Sequence, residues 1–200
     1  MTGVQTCALP IWCGRVTFTG DLGYELWIRA DEQPHAFDAL MAAGEPLGIA
    51  PFGARALNAL RLEKGFGSWA REYRPVYGPD ECGLGRFVAL DKPADFVGKA
   101  AARELREAGG GPMRLRTFVV DAADADVIGD EPISLDGEVR GWVTSGGYAH
   151  ASRASVAMGY VPAEVADVEA GWEIELLGER LAARLRRAPL FDANGGRMRG

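Results

Sequence analysis

Two short stretches place charged side chains among apolar residues, where core packing alone does not require them. Residues 15–26 contain a glycine-rich turn with Asp21 at its centre, and residues 61–69 begin with Arg61. A carboxylate accepts hydrogen bonds on both of its oxygens, and a guanidinium fork suits a carbonyl or carboxylate partner. Because each stretch offers a strong polar group beside apolar walls, the two together predict a ligand site.

Before the glycine run at 109–111, the residue pattern mixes strands with helices. Residues 15–18 and 24–28 are predicted to form two strands joined by a glycine-rich connection, and residues 84–90 resemble a strand. Helical spacing predicts helices over 34–43, from 51 or 52 through 64, and over 96–107, the last capped by Asp95. Arg61 therefore lies near the end of the second predicted helix, and the glycine run is the predicted domain boundary.

Beyond the glycine run, the pattern becomes all β. The predicted strands are 114–121, 133–135, 138–144, 155–161, 172–177 and 180–186. The pair Asp136-Gly137 is a strong hairpin signal between two of them. Short strands at this spacing indicate a small barrel or sandwich, so the expected fold class is α+β.

Composition limits the classes of function. The formal net charge of −6 argues against nonspecific binding to nucleic acid or to an anionic membrane surface. No run of eighteen apolar residues is present, so we expect no membrane partner. With two histidines far apart and no cysteine pair at ligand spacing, we predict no metal, and the cysteine usage fits a reducing compartment.

The first twelve residues need separate treatment. Residues 1–12 look like the translation of a sequencing adapter, and they lack the basic start and continuous apolar run of a secretory signal. We therefore expect the native reading frame to begin near Trp12 or Cys13, in the middle of a gene. The predicted organisation is an adapter-derived segment (1–12), two domains (13–110 and 112–192) and a tail (193–200).

The spacing of five short motifs resembles one known family. Residues 19–25 and 60–65, followed in order by 79–84, 95–99 and 144–148, are similar to landmarks of the folate-binding aminomethyltransferases, the T-protein of glycine cleavage and its relatives. The resemblance extends from about Arg15 to the end of the chain. It implies a truncated folate-binding aminomethyltransferase domain followed by a small C-terminal β-barrel domain.

Within that family, three segments look most like the C-terminal half of dimethylglycine and sarcosine dehydrogenases: 62–69, Glu131-Pro132 and 191–199. The resemblance implies that an upstream FAD domain, missing here, oxidises an N-methyl group. The small-molecule substrate is an N-methylated glycine. Its iminium product then reacts with tetrahydrofolate and gives 5,10-methylene-tetrahydrofolate. Tetrahydrofolate is thus the expected cofactor of this chain, and FAD belongs only to the upstream domain.

The resemblance also assigns polar binding residues. A reduced pterin presents adjacent N–H donors that match the two oxygens of a carboxylate, and Asp21 stands where the family usually has Glu. Arg61 matches the arginine of the family's Leu-Arg-Leu-Glu motif, and Glu72 is either its carboxylate partner or a support. The alternatives are that Asp21 satisfies backbone donors in its own turn and that Arg61 and Glu63 pair separately at the surface.

Two aromatic residues complete the predicted site. Tyr24 and Trp69 would form apolar walls for the pterin ring or its aromatic tail, although aromatic side chains more often pack in a core. The catalytic residue is unknown, because the family's proton-handling Asp lies upstream of Arg15. We therefore expect the fragment alone to be inactive.

Three alternative functions share the fold. A free-standing T-protein would act with a lipoyl carrier protein, but Glu63-Lys64-Gly65 and the terminal Arg-Met-Arg favour the dehydrogenases. The second alternative is a noncatalytic iron-sulfur assembly factor, but such proteins usually show Lys-Gly-Cys where this chain has Lys64-Gly65-Phe66. The third alternative is a folate-dependent demethylase that acts on a sulfur compound. We expect a cytoplasmic bacterial protein, with the mitochondrial matrix left open. The sequence does not distinguish dimethylglycine from sarcosine.

Overall fold

The computed structural model describes residues 2–6 and 9–200, with side chains from Trp12 onward. Met1, Cys7 and Ala8, which belong to the predicted adapter segment, lie outside the described residues. The chain divides into two compact units: Met1–Arg61 with Asp192–Gly200, and Leu62–Phe191. The predicted domain boundaries at 12, 110 and 192 stay predictions.

The first unit contains an antiparallel three-stranded sheet and a helix. Its strands are β1 (Thr2–Thr6), β2 (Leu9–Gly14) and β3 (Glu25–Trp27), paired in the order β1-β2-β3. The helix α1 (Gln33–Gly44) follows, as predicted for 34–43, with proline in its first turn, where a missing N–H costs nothing. The next helix, α2 (Ala54–Glu63), confirms the prediction apart from its first residues.

The predicted strand over 15–18 is wrong. The ladder between β2 and β3 starts with Gly14 opposite Glu25, so residues 15–24 form the connection. Within it the Thr17 hydroxyl accepts the Gly20 N–H at 3.1 Å. Short polar side chains that bond to nearby backbone in this way replace the strand ladder.

Two further predictions before the barrel need correction. The predicted strand over 84–90 contains a short 3-10 helix, Gly85–Phe87, because its amides bond to carbonyls three residues back. The third helix, α3, spans Lys99–Glu107 and starts later than predicted. Gly98 precedes it with φ of 88°, a left-handed conformation that favours glycine, so Asp95 is not its cap.

The second unit is built around a closed six-stranded antiparallel barrel. Its strand order is β4-β7-β6-β5-β8-β9, and β9 pairs back with β4 through Thr117 and Arg186. Closure leaves no free sheet edge and decides between the two predicted architectures in favour of the barrel. The strands are β4 (Met113–Val120), β5 (Pro132–Leu135), β6 (Glu138–Ala149), β7 (Ala154–Pro162), β8 (Trp172–Leu176) and β9 (Glu179–Arg186).

The barrel interior is apolar and tightly packed. Phe118 lies 5.3 Å from Trp172 between ring centroids, in a tilted arrangement that aromatic pairs prefer. Around this pair the core contains Val127, Ile133, Val143, Ala157 and Ile174, all buried. The mixed helix and strand content with a C-terminal barrel confirms the predicted α+β fold class.

The two tight hairpins of the barrel differ in how well their residues suit the turn. Asp136 and Gly137 have φ of 50° and 84°, and Leu177 and Gly178 have nearly the same values, 52° and 86°. Aspartate tolerates the left-handed region, whereas leucine is strained there. Leu177 is 87% exposed, so its side chain gains little from packing.

We predict that Leu177→Asn stabilises the protein by about 0.5–1 kcal/mol, because it removes left-handed strain from an exposed leucine. Urea unfolding followed by circular dichroism measures the change. The reverse exchange in the other hairpin, Asp136→Leu, serves as the matched control and should destabilise by a similar amount. An unchanged or lower midpoint for Leu177→Asn would contradict the turn assignment.

Candidate functional site

The end of α2 carries a carboxylate that is bound to the barrel. Glu63 is only 2% exposed. Its Oε1 accepts the Ala151 N–H at 2.9 Å, and its Oε2 accepts the N–H and the hydroxyl of Ser152 at 3.2 and 2.9 Å. Both donor residues, Ala151 and Ser152, lie in the turn between β6 and β7. Glu63 therefore fixes this turn rather than forming the surface pair that was its alternative.

Glu72 is a second buried carboxylate with protein donors on both oxygens. Its Oε2 accepts the Ser68 N–H at 2.7 Å, and its Oε1 accepts the Thr144 hydroxyl at 2.6 Å. The Tyr160 hydroxyl donates to the Glu72 carbonyl at 2.7 Å. Because these bonds engage both oxygens, the geometry favours the predicted role of support over direct ligand contact.

Trp69 and Tyr24 both lie at the surface of their own units. Trp69 is 84% exposed and contacts Tyr73 edge-on at 6.4 Å between ring centroids, and Tyr24 is 60% exposed. The alternative that these two rings are core residues is therefore wrong. Large exposed aromatic surfaces are what an apolar ligand wall requires, and that role remains a prediction.

Asp21 is half-buried and its carboxylate is paired. Its Oδ1 accepts a hydrogen bond from Arg197 Nε at 2.5 Å. The backbone donors of its turn bond instead to threonine hydroxyls: Gly20 N–H to Thr17, and the Asp21 N–H to Thr19 at 3.4 Å. Since threonines satisfy the turn, the described bonds do not support the alternative role of Asp21 as a turn residue.

Arg61 is buried near the end of α2 and is oriented by its own helix. Its Nε donates to Asn58 Oδ1 at 2.9 Å, one turn earlier. The i, i+3 spacing brings such side chains to one helix face. The role of Arg61 in holding a carbonyl or a carboxylate stays a prediction.

A polar cleft of about 300 Å³ lies on the barrel surface. Its lining includes Asp167, whose Oδ1 accepts hydrogen bonds from Arg116 at 3.2 Å and from Arg187 at 3.1 Å. Arg187 of the 184–187 segment thus belongs to an exposed ion-pair network. Such networks are common on surfaces, and they identify no ligand.

Cys82 packs in a buried aromatic cluster that sequence reasoning did not identify. Its Sγ lies 3.2 Å from the Tyr160 hydroxyl oxygen, and the Tyr160 ring stacks on Tyr77 with centroids 3.6 Å apart. Burial raises the pKa of the Cys82 thiol, and burial likewise raises the pKa of Tyr160. A thiol held protonated is a poor nucleophile, so Cys82 is structural.

We predict that iodoacetamide at pH 8 labels Cys82 at least tenfold more slowly than the half-buried Cys13, since the Cys82 thiolate is disfavoured and shielded. Peptide mass spectrometry measures both rates in one sample. Urea should abolish the difference, which controls for intrinsic reactivity. Equal rates in the folded protein would show that Cys82 is accessible.

Other classes of site find no support in the residues whose side chains are described. Among them, no group of three His, Cys, Asp or Glu side chains is arranged to hold a metal ion. Within the same part of the chain, no helix is long and apolar enough to cross a membrane.

Known proteins resemble this chain over nearly its whole length. Dimethylglycine dehydrogenase of Mus musculus is 39% identical over 191 residues, which cover 96% of this chain and 22% of that protein. The aminomethyltransferase of Symbiobacterium thermophilum is 32% identical over 194 residues, which cover 96% of this chain and 49% of that protein. The chain thus spans about a fifth of the first relative and about half of the second.

A solved structure and two family models agree on the fold. The glycine cleavage system aminomethyltransferase T from Bartonella henselae superposes with a TM-score of 0.80 at 24% identity, covering 92% of this chain and 50% of that one. The GCVT N-terminal domain matches residues 1–92, and the glycine cleavage T-protein C-terminal barrel domain matches residues 114–192. As the motifs predicted, the chain belongs to the glycine cleavage T-protein family.

Proposed function

We propose that this chain is the tetrahydrofolate-binding, one-carbon-transfer portion of an FAD-dependent dimethylglycine or sarcosine dehydrogenase. The observation that carries the proposal is the difference in identity: 39% to a dimethylglycine dehydrogenase against 32% to an aminomethyltransferase, over the same 96% of the chain. The product would be 5,10-methylene-tetrahydrofolate. FAD would act in a separate domain.

The accessible residues fit a reduced folate one by one. The Asp21 carboxylate is partly exposed, and Oδ1 accepts from Arg197. Among the described residues nothing donates to Oδ2, which we propose accepts an N–H donor of the pterin. Tyr24 and Trp69 each offer an exposed aromatic surface for stacking. Arg61 is buried, and its proposed role is to hold a pterin carbonyl or to orient a neighbouring carboxylate. Tetrahydrofolate, when bound, supplies the nitrogen atoms that accept the one-carbon unit.

The buried carboxylates have a different role in this proposal. Glu72 holds Ser68 and Thr144, so it orders the backbone beside Trp69 without contacting the ligand. Glu63 does the same for the turn between β6 and β7. Removing such supports would weaken folate binding indirectly, through loss of order.

We propose further that this chain does not complete turnover by itself. The family resemblance assigns proton transfer at the folate nitrogen to an Asp upstream of Arg15, and no described residue is proposed in its place. The chain would then bind folate without forming product. Methylene-tetrahydrofolate produced by the purified chain from dimethylglycine, tetrahydrofolate and an electron acceptor would overturn this part of the proposal.

A free-standing aminomethyltransferase is the second candidate. The 32% identity to an aminomethyltransferase over 96% of this chain supports it. Such an enzyme would require a lipoyl carrier protein as partner. We propose a reducing compartment for either enzyme, either the bacterial cytoplasm or the mitochondrial matrix.

We predict that the chain binds 5-formyl-tetrahydrofolate, a stable reduced folate, and that Asp21→Asn weakens binding about tenfold or more, since a hydrogen bond to a charged group contributes about 1.5–3 kcal/mol. Isothermal titration calorimetry measures both affinities. Asp31→Asn is the matched control, because Asp31 is also exposed and paired with an arginine, at 2.7 Å from Arg29. Equal weakening by the two variants would remove Asp21 from the site.

A further inference from the structure

The 192–200 segment is an ordered turn rather than an extended end. The Asp192 carboxylate accepts the Gly196 N–H at 3.0 Å through Oδ1 and the Arg197 N–H at 3.2 Å through Oδ2. The Asp192 carbonyl accepts the Gly195 N–H at 2.8 Å. One aspartate thus accepts hydrogen bonds from several backbone N–H groups, as aspartate does in turns. These bonds hold the backbone of Arg197 in place.

This segment bonds to the connection between β2 and β3 at two points. Arg197 Nε donates to Asp21 Oδ1 at 2.5 Å, and Arg15 donates to the Arg199 carbonyl at 2.6 Å. The connection itself lacks regular structure. Its conformation at Asp21 therefore depends on these two bonds and on the threonine hydroxyls described above.

We propose that Arg197 is a positioning residue, which orients the Asp21 carboxylate for a reduced folate; this rests on the proposed function. The hydrogen bond from Arg197 engages Oδ1 of Asp21, and within the part of the chain that the structure describes no donor bonds to Oδ2. An aspartate side chain has two torsions, and a fixed bond on one oxygen restricts both. The ligand then meets a carboxylate that is already ordered, which lowers the entropic cost of binding.

The charges of the pair support this assignment. The hydrogen bond to Asp21, followed by the charge of Asp21, raises the pKa of the Arg197 guanidinium, so Arg197 keeps the positive charge that holds the carboxylate. Both side chains are partly exposed, at 65% for Arg197 and 39% for Asp21. Exposed ion pairs contribute little to folding, so loss of Arg197 should act on ligand binding more than on stability.

The test is a double-mutant cycle between Arg197 and Asp21, read by calorimetry with 5-formyl-tetrahydrofolate. We expect Arg197→Gln to weaken binding about tenfold and Arg197→Lys to restore part of it, since lysine keeps the charge but loses the fork. In the Asp21→Asn background, Arg197→Gln should add less than a twofold effect. Arg199→Gln is the matched control, because only the backbone carbonyl of Arg199 makes the described contact.

The outcomes separate this inference from the proposed function. If Arg197→Gln binds folate as tightly as the unmodified chain or more tightly, while Asp21→Asn binds it more weakly, the positioning role is overturned and the proposed function is not. A tenfold effect of Arg197→Gln in both backgrounds would also overturn it, since the effect would not pass through Asp21. Absence of folate binding in the unmodified chain would overturn both proposals. Thermal unfolding midpoints within a few degrees of the unmodified chain confirm that the variants are folded.

Discussion

A buried carboxylate must be supplied with hydrogen-bond donors, and this requirement organises the part of the second unit that follows α2. An unpaired buried charge costs several kcal/mol, so Glu63 and Glu72 each determine the position of their donors. The donors come from residues 68, 144, 151 and 152, three of which belong to the barrel or its β6–β7 turn. The family motif at the end of α2 thus acts as an anchor on the barrel.

This anchoring separates two kinds of polar residue that look alike in the sequence. Glu63 and Glu72 are buried and engaged by the protein, whereas Asp21 is partly exposed and paired through one oxygen. Only the second kind retains an acceptor for a ligand. In the first unit the proposed folate-binding role therefore falls on Asp21 and the exposed ring of Tyr24. In the second unit it falls on the exposed ring of Trp69, which Glu72 supports through Ser68.

The sequence predicted those features that depend on local patterns. The spacing of short strands and the Asp136-Gly137 turn predicted the barrel strands, because strand length and left-handed turn residues are local properties. The strand over 15–18 was wrong because the Thr17 hydroxyl competes for the backbone. The partners of Glu63 lie 88 and 89 positions away, and no local pattern identifies contacts of that separation.

The central claim, that Glu63 anchors the β6–β7 turn, is tested most directly by residue-resolved amide hydrogen exchange. In the unmodified chain the Ala151 and Ser152 amides should be protected, and Glu63→Ala should accelerate both by at least tenfold, since each loses its acceptor. Glu72→Ala should leave these two amides unchanged and accelerate Ser68, and core amides such as that of Phe118 should stay protected throughout. Unchanged exchange at Ala151 and Ser152 in Glu63→Ala would contradict the account.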